Sequence, residues 1–471
     1  MILNNHRADL MQQQPKEFRH ASFRGRFGIA QSDITPPVGV HSRTWGAAEH
    51  EVADSIHRPL TLTAMVIKST ERESPLVLIC ADLSYWKTNS LIPVFHSRIR
   101  EALSLQPDEL IFAVSHSHAT PPLMDPEGDV PGGDLIRQWM QSLPEIAIQT
   151  VQTALQQQFD GLLEWHIGRC GLAAVRDFPD PAPGSDRYLC GYAPEKRADD
   201  TLLVGRLSDL TGKQRGTVVN YACHPTTLAW ENTSVSPDYI GAMRETIEKE
   251  TQAHVFFLLG MCGELAPRSQ YTGDVGLADR HGKQLGHAVL ATLYGMEPPG
   301  QALAFTGVME SGAPLAVWRN QPTDSSSKLI SIRRTVEVPM KEWPTAAELA
   351  QQISETPDRF QQERLGRRLA IRKYLGDEKT YALEMLAWRV GEVVFIGSSG
   401  EAYSVLQQEL RKRFPDTAIV CMNLINGSNG YLPPADLFQY DIYPVWQTPF
   451  AAGCLENTLT AAEALIHDIL A

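Results

Sequence analysis

The sequence predicts an α/β protein, on three observations. Apolar runs of strand length recur along the chain, a helical apolar period separates some of them, and each run ends in a polar loop carrying histidine, glycine or carboxylate. Taken in order, residues 75–80 form a buried strand that leads to Asp82. Phe95, Ile99 and Leu103, spaced four apart, mark a helix. Residues 110–114 form the next strand, which opens into Ser115-His116-Ser117-His118. Residues 217–223 run into His224-Pro225-Thr226, and residues 255–259 into a loop ending at Glu264. The stretch 300–390 starts behind Pro298-Pro299 and reads as a divergent helical insertion. Within it, Thr345 and Glu348 form a capping box that opens a helix carrying Leu349 and Ile353. The basic run Arg364, Arg367, Arg368 reads as a solvated helix face. Residues 393–396 end in Gly397-Ser398-Ser399-Gly400-Glu401, and residues 418–422 in a loop that reaches Tyr431. Ligands of open α/β sheets bind beyond the carboxyl ends of strands, so a site is expected where these loops meet.

Composition narrows the partners. A hydrophobic fraction of 43% and a charged fraction of 21% exclude a disordered chain. A net charge of −13 argues against nucleic acid or an anionic membrane surface, both of which call for basic patches, and leaves a small-molecule substrate as the expectation. The 7 cysteines are scattered, odd in number and without a CxxC pair, which points to reduced, buried thiols rather than disulfides or a thiolate metal site. The first residues are polar, and no apolar run approaches the ~18 residues of a membrane span. The expectation is a cytoplasmic protein with no transmembrane segment and a loose N-terminal tail over residues 1–22.

His116 and His118 form a His-x-His pair, and on extended backbone residues i and i+2 point to one side. Hydrolytic zinc sites take three or four ligands from His, Asp, Glu and Cys and keep one position open to water. With no cysteine pairs, His116, His224 and a carboxylate at a strand end are the natural candidates. Glu401 reads equally as an inward-turned acid or as the first turn of a following helix, where a carboxylate meets the macrodipole. The Trp45-Gly46 turn reads equally as pocket wall or as packing. His281 and His287, six apart in a helical pattern, read as structural.

Several motifs carry a family resemblance: Gly28-Ile29-Ala30-Gln31-Ser32-Asp33-Ile34-Thr35-Pro36-Pro37, Ser115 to Pro121, Cys223-His224-Pro225-Thr226, Ser236-Pro237-Asp238-Tyr239-Ile240-Gly241, Gly263-Glu264-Leu265-Ala266-Pro267, Gly400-Glu401 and Asn429-Gly430-Tyr431. In this order they resemble the catalytic domain of the neutral ceramidases, zinc-dependent amidohydrolases that cleave the N-acyl bond of ceramide. The resemblance implies one large catalytic domain over residues 23–471, of mixed sheets with flanking helices, without the family's C-terminal sandwich domain. It implies that His116, His224, Glu401 and Tyr431 hold Zn2+. It also implies that Tyr440 and Tyr443 line the pocket, that His118 faces substrate and that Arg176 is the family's substrate-facing arginine. Where the family carries a serine in Gly-Asp-x-Ser-Pro, this chain has Ala266, so no step can use that hydroxyl. The implied activity is zinc-dependent amide hydrolysis through a zinc-bound water on a substrate other than membrane ceramide. The alternatives are a zinc esterase or carbohydrate deacetylase, and a non-catalytic zinc-bearing binding protein.

Overall fold

The computed structural model describes residues 17–126, 128–376 and 378–471. Its centre is an eight-stranded sheet built from β1 (Ala21–Asp33), β2 (Thr61–Ser69), β3 (Arg72–Ala81), β4 (Leu110–Val114), β5 (Gln158–Arg169), β6 (Thr201–Asp209), β7 (Gln214–Tyr221) and β8 (His254–Leu259). The spatial order is β8-β7-β6-β5-β1-β2-β3-β4. The middle is antiparallel and only the two edge pairs, β3 with β4 and β7 with β8, run parallel. Parallel neighbours need a crossover, supplied here by α1 (Leu91–Leu103) and, after α2 (Gly133–Gln156), by α3 (Tyr239–Thr251). The sheet curls far enough that β4 and β8, at its opposite edges, approach each other. This brings the loops that follow β4 and β7 to one place.

After α4 (Val275–Tyr294) the chain forms a hairpin, β9 (Gln301–Glu310) and β10 (Pro314–Pro322), then enters a second sheet. That sheet, in the order β11-β12-β13-β14, comprises β11 (Leu329–Pro339), β12 (Thr380–Val390), β13 (Val393–Ser398) and β14 (Ala418–Met422). Its one parallel pair is β13 with β14. The two sheets pack face to face through Phe23, Phe27 and Trp165 on one side and Trp388 and Phe395 on the other, with the Trp165 and Phe395 rings edge-on at 5.4 Å. α2, α3 and α4 cover the outer face of the large sheet, and α7 (Ser404–Arg413) with α8 (Cys454–Leu470) cover that of the small one, giving helix, sheet, sheet, helix layers.

Three expectations change. The stretch 300–390 is not a helical insertion: it holds α5 (Ala346–Glu355) and α6 (Arg359–Leu375), but also the whole of β9, β10, β11 and β12. The β-branched residues Ile330, Ile332, Thr335, Val336 and Val338 favour a pleated surface, and a polar outer face disguised the strand. The capping box on Thr345 and Glu348 does form, at the start of α5. The tail over 1–22 is partly structured, because Glu17 and Phe18 pair with Ala304 and Leu303 and β1 begins at Ala21; residues 1–16 lie outside the described residues. The run 364–368 is only in part a solvated face: Arg364 is exposed, but the run lies on α6, which forms a wall of the central cleft, and Arg364 and Arg367 line it. All seven cysteines are free and six are buried. Among the described residues, no helix is long and apolar enough to cross a membrane.

Candidate metal centre

Three strand ends deliver three side chains to one point. His116 lies just past β4, its backbone N–H donating to Leu83 O at 2.8 Å while that of Ser115 donates to Ala81 O. Its φ of 66° is unusual for a residue with a Cβ. Such strain persists only where the surroundings enforce it and is concentrated at functional sites. His116 and His118 therefore share a pocket through a tight turn rather than through extended-strand alternation, with ring centroids 4.8 Å apart and Nε2 atoms 3.4 Å apart.

His224 follows β7, and its orientation is fixed from behind. Both its backbone N–H and its Nδ1 reach Leu265 O, at 2.9 and 3.1 Å. An imidazole that donates Nδ1–H to a carbonyl presents Nε2 as the free lone pair, the usual arrangement behind a metal-ligating histidine. That Nε2 faces Glu401 Oε2 at 3.2 Å, and His116 Nε2 lies 3.6 Å from the same oxygen. Glu401 sits in a two-residue strand, Glu401–Ala402, paired in parallel with Tyr431–Leu432, so Glu401 and Tyr431 stand side by side. Gly400 leaves room for this pairing, since a Cβ would lie 2.7 Å from Leu432 Cδ1 and displace that buried side chain. Of the two readings of Glu401, the inward one holds. The carboxylate at the start of α7 is instead Glu264, whose oxygens accept from Ser404 N at 3.1 and 2.9 Å.

The ligand-type atoms of His116, His224 and Glu401 lie within 4.8 Å of one another, and all three residues are buried. Burial alone would raise the Glu401 carboxyl, but the facing imidazoles of His116 and His224 hold it well below the usual carboxylate range. Burial, together with the Arg176 charge, depresses His224 to about 4. His118 is lowered as well, by burial and then by its histidine neighbours. The site thus presents one carboxylate oxygen and two imidazole nitrogens to a common point. That donor set fits a borderline divalent cation such as zinc.

The remaining expected residues divide into inner and outer positions. Tyr431 stacks near His224, with centroids 6.4 Å apart at 27°, and its hydroxyl accepts from Arg176 Nη2 at 3.0 Å. Burial, followed by the Glu401 charge, raises this phenol well above its ordinary value. Arg176 is buried and also donates to Gly263 O at 2.7 Å. Tyr443 lies edge-on to Tyr431 at 5.8 Å and accepts from Arg367 Nη1 at 3.2 Å. Tyr440 is not brought to the centre. It is exposed and packs against Tyr188 at 5.3 Å, because the 3-10 turn Ala435–Gln439 rotates it away from Tyr443. Ala266 lies in the strand Leu265–Pro267, opposite Ala174 and buried, with no hydroxyl to offer.

Two cavities meet at the centre. One of about 580 Å³ is lined by His116, Glu401, Tyr85, Lys87 and Arg43. The other, about 530 Å³, is lined by Trp45, Arg176, Trp230, Tyr271 and Trp446. His118, Arg367, Tyr431 and Tyr443 line both. Trp45 is therefore pocket wall, its ring 5.1 Å from that of His118. The sequence reading passed over Tyr85, Trp230 and Tyr271, and took Arg367, which pairs with Glu363 four residues earlier, for part of a solvated helix face.

No protein-family model and no curated protein matches this sequence. Solved structures do. The chain is similar to the neutral ceramidase from Pseudomonas aeruginosa, with a TM-score of 0.66 and 15% identity over 95% of this chain and 75% of that one. It is also similar to a ceramidase complexed with C2, with a TM-score of 0.66 and 13% identity over 95% of this chain and 76% of that one. The chain has the neutral ceramidase fold, as its motifs led one to expect.

Proposed function

We propose that this chain is a zinc-dependent hydrolase of a non-peptide amide, with His116, His224, Glu401 and Tyr431 as the metal-holding residues. The observation that carries the reading is the convergence of two imidazole nitrogens and one carboxylate, each from a different strand end, at the meeting point of two cavities. Two cavities suit the two arms of an amide. A bound zinc ion supplies Lewis acidity, acidifying water from a pKa of about 15.7 to about 7 and polarising the carbonyl.

The rest of the chemistry belongs to the protein. His118, kept neutral by burial, accepts the proton of the attacking water at Nε2 and returns it to the leaving nitrogen as the C–N bond breaks, giving a carboxylic acid and an amine. Because the Tyr443 oxygen already accepts from Arg367, its own proton is free for the developing oxyanion. The Arg176 guanidinium steadies the Tyr431 oxygen. With Ala266 in the serine position, no covalent acyl intermediate at that residue is available.

The test is turnover on a panel of N-acyl amines by metal-stripped and zinc-loaded protein. Zinc-restored hydrolysis is the expected outcome, and equal activity with and without zinc would refute it. Tyr443→Phe removes one donor to the oxyanion and is expected to lower kcat about 100-fold or more with little change in KM.

A further inference from the structure

The chain carries a net charge of −13, yet the aromatic cavity beside the metal centre has the opposite sign. Arg176, Arg187, Arg364 and Arg367 line it, against Asp441 alone among lining acids. Carboxylates beside the cavity are already engaged. Glu363 is shared by two guanidiniums, Arg367 at 2.8 Å and Arg43 at 3.3 Å. Asp180 takes both Nε and Nη2 of Arg187 on one oxygen, at 2.9 and 2.6 Å. Arg176 has Asp177 beside it, whose Oδ2 accepts from Tyr403, and itself donates to a carbonyl and a phenol. Arg364 has no carboxylate within ion-pair distance among the described residues. It is held instead over the Trp446 ring, 5.1 Å from its centroid.

The cavity wall is aromatic: Trp230 and Tyr271 are stacked at 27° with centroids 5.9 Å apart, and Trp45 packs edge-on against them at 6.1 and 5.6 Å. Trp45 Nε1 and Arg176 Nε, both buried within that wall, have no hydrogen-bond acceptor among the described residues. Aromatic walls with uncompensated guanidiniums select a planar or apolar group that bears an anion. Guanidinium in particular suits carboxylate, because its fork matches two oxygens.

We propose that the aromatic cavity is a carboxylate-recognition subsite: it takes the arm of the amide that carries an aromatic or apolar group ending in a carboxylate, with Arg364 as the uncommitted cation that reads it. This rests on the amide-hydrolase reading above. It adds a substrate class that a long neutral lipid does not belong to. The low-dielectric walls concentrate the arginine field at the cavity, so selectivity is expected to weaken as salt rises.

Two matched pairs test it on the metal-loaded full chain. The first is hydrolysis of N-acetyl-benzylamine against N-acetyl-4-carboxybenzylamine. The carboxylate is expected to raise kcat/KM about tenfold or more, mostly through KM, the size of one charge-assisted hydrogen bond. Arg364→Gln is expected to bring that ratio below about threefold. Equal rates for the two amides, or a ratio unmoved by Arg364→Gln, would overturn the subsite. The second pair, benzylamine against 4-(aminomethyl)benzoate, is titrated calorimetrically and needs no turnover. Tighter binding of the carboxylate with no hydrolysis of any amide would sustain the subsite and sink the hydrolase reading. Hydrolysis with no carboxylate preference in binding or rate would do the reverse.

Discussion

Stripping the metal and restoring it gives the most decisive prediction. His116, His224 and Glu401 are separated by more than a hundred residues each and meet only in the folded chain, so the unfolded state has no such site and zinc stabilises the native state alone. At a free concentration ~1,000 times Kd the gain is about 4 kcal/mol. For 471 residues, at ~2.1 cal/mol/K per residue, the unfolding entropy is about 1 kcal/mol/K. The melting temperature should therefore rise by about 4 °C on zinc addition to chelator-treated protein. Scanning calorimetry reads the shift and elemental analysis reads the stoichiometry, expected at one ion per chain. His116→Ala removes a nitrogen that faces Glu401 and is expected to abolish both. A wild-type transition indifferent to zinc, or a His116→Ala protein that retains a full equivalent of metal, would refute the ligand assignment.

Three further predictions concern what holds the centre in place. Burial raises Glu264 to about 7 from an ordinary 4.5, so the folded state keeps a proton that the unfolded chain has released. Its contribution is fully present below pH 4.5 and is lost as pH rises through 7, and Glu264→Gln should raise the melting temperature at pH 8 while leaving it nearly unchanged at pH 4. Arg244 on α3 donates to buried Asp82 at 2.8 Å, beside the Ala81 and Leu83 carbonyls that anchor the Ser115-His116 turn. Arg244→Met strands that carboxylate and should cost about 3–5 kcal/mol in urea denaturation; a loss below about 1 kcal/mol would mean that the pair is dispensable. Gly282 on α4 lies so close to α3 that a Cβ would sit 2.2 Å from Tyr239 O. Gly282→Ala must separate the two helices and should lower stability by about 1–3 kcal/mol in the same assay, and an unchanged midpoint would contradict the packing.

The sequence disclosed the centre better than its surroundings, for a physical reason. His116, His224 and Glu401 each follow a buried strand with an apolar centre whose end is marked by polar or glycine residues, so chemistry and local structure coincide in short motifs. The walls are different. Tyr85, Trp230 and Tyr271 come from loops with no period, and their meeting around Trp45 and His118 depends on how the large sheet curls. Arg367 was misread because a charged helix face has the same composition whether water or a cleft lies against it. Strands β11 and β12 were missed because only part of their outer surface is apolar, which hides the two-residue alternation. Tyr440 and Tyr443 show the limit of spacing alone: three positions apart, Tyr440 follows the 3-10 turn Ala435–Gln439 and is exposed, whereas Tyr443 opens the short helix Tyr443–Gln447 and lines both cavities.

The pairing of Glu401 with Tyr431 has a consequence for when this protein becomes competent. Both residues come from the last seventy or so positions, while their histidine partners lie in the first half of the chain. With the ligand set proposed above, a ribosome must release nearly the whole polypeptide before the four residues can coexist, and no fragment ending before Tyr431 can assemble the full set. On that proposal, capture of an ion is a late act in folding. It ties the two sheets together across a gap of some three hundred residues in sequence, much as a clasp closes a necklace.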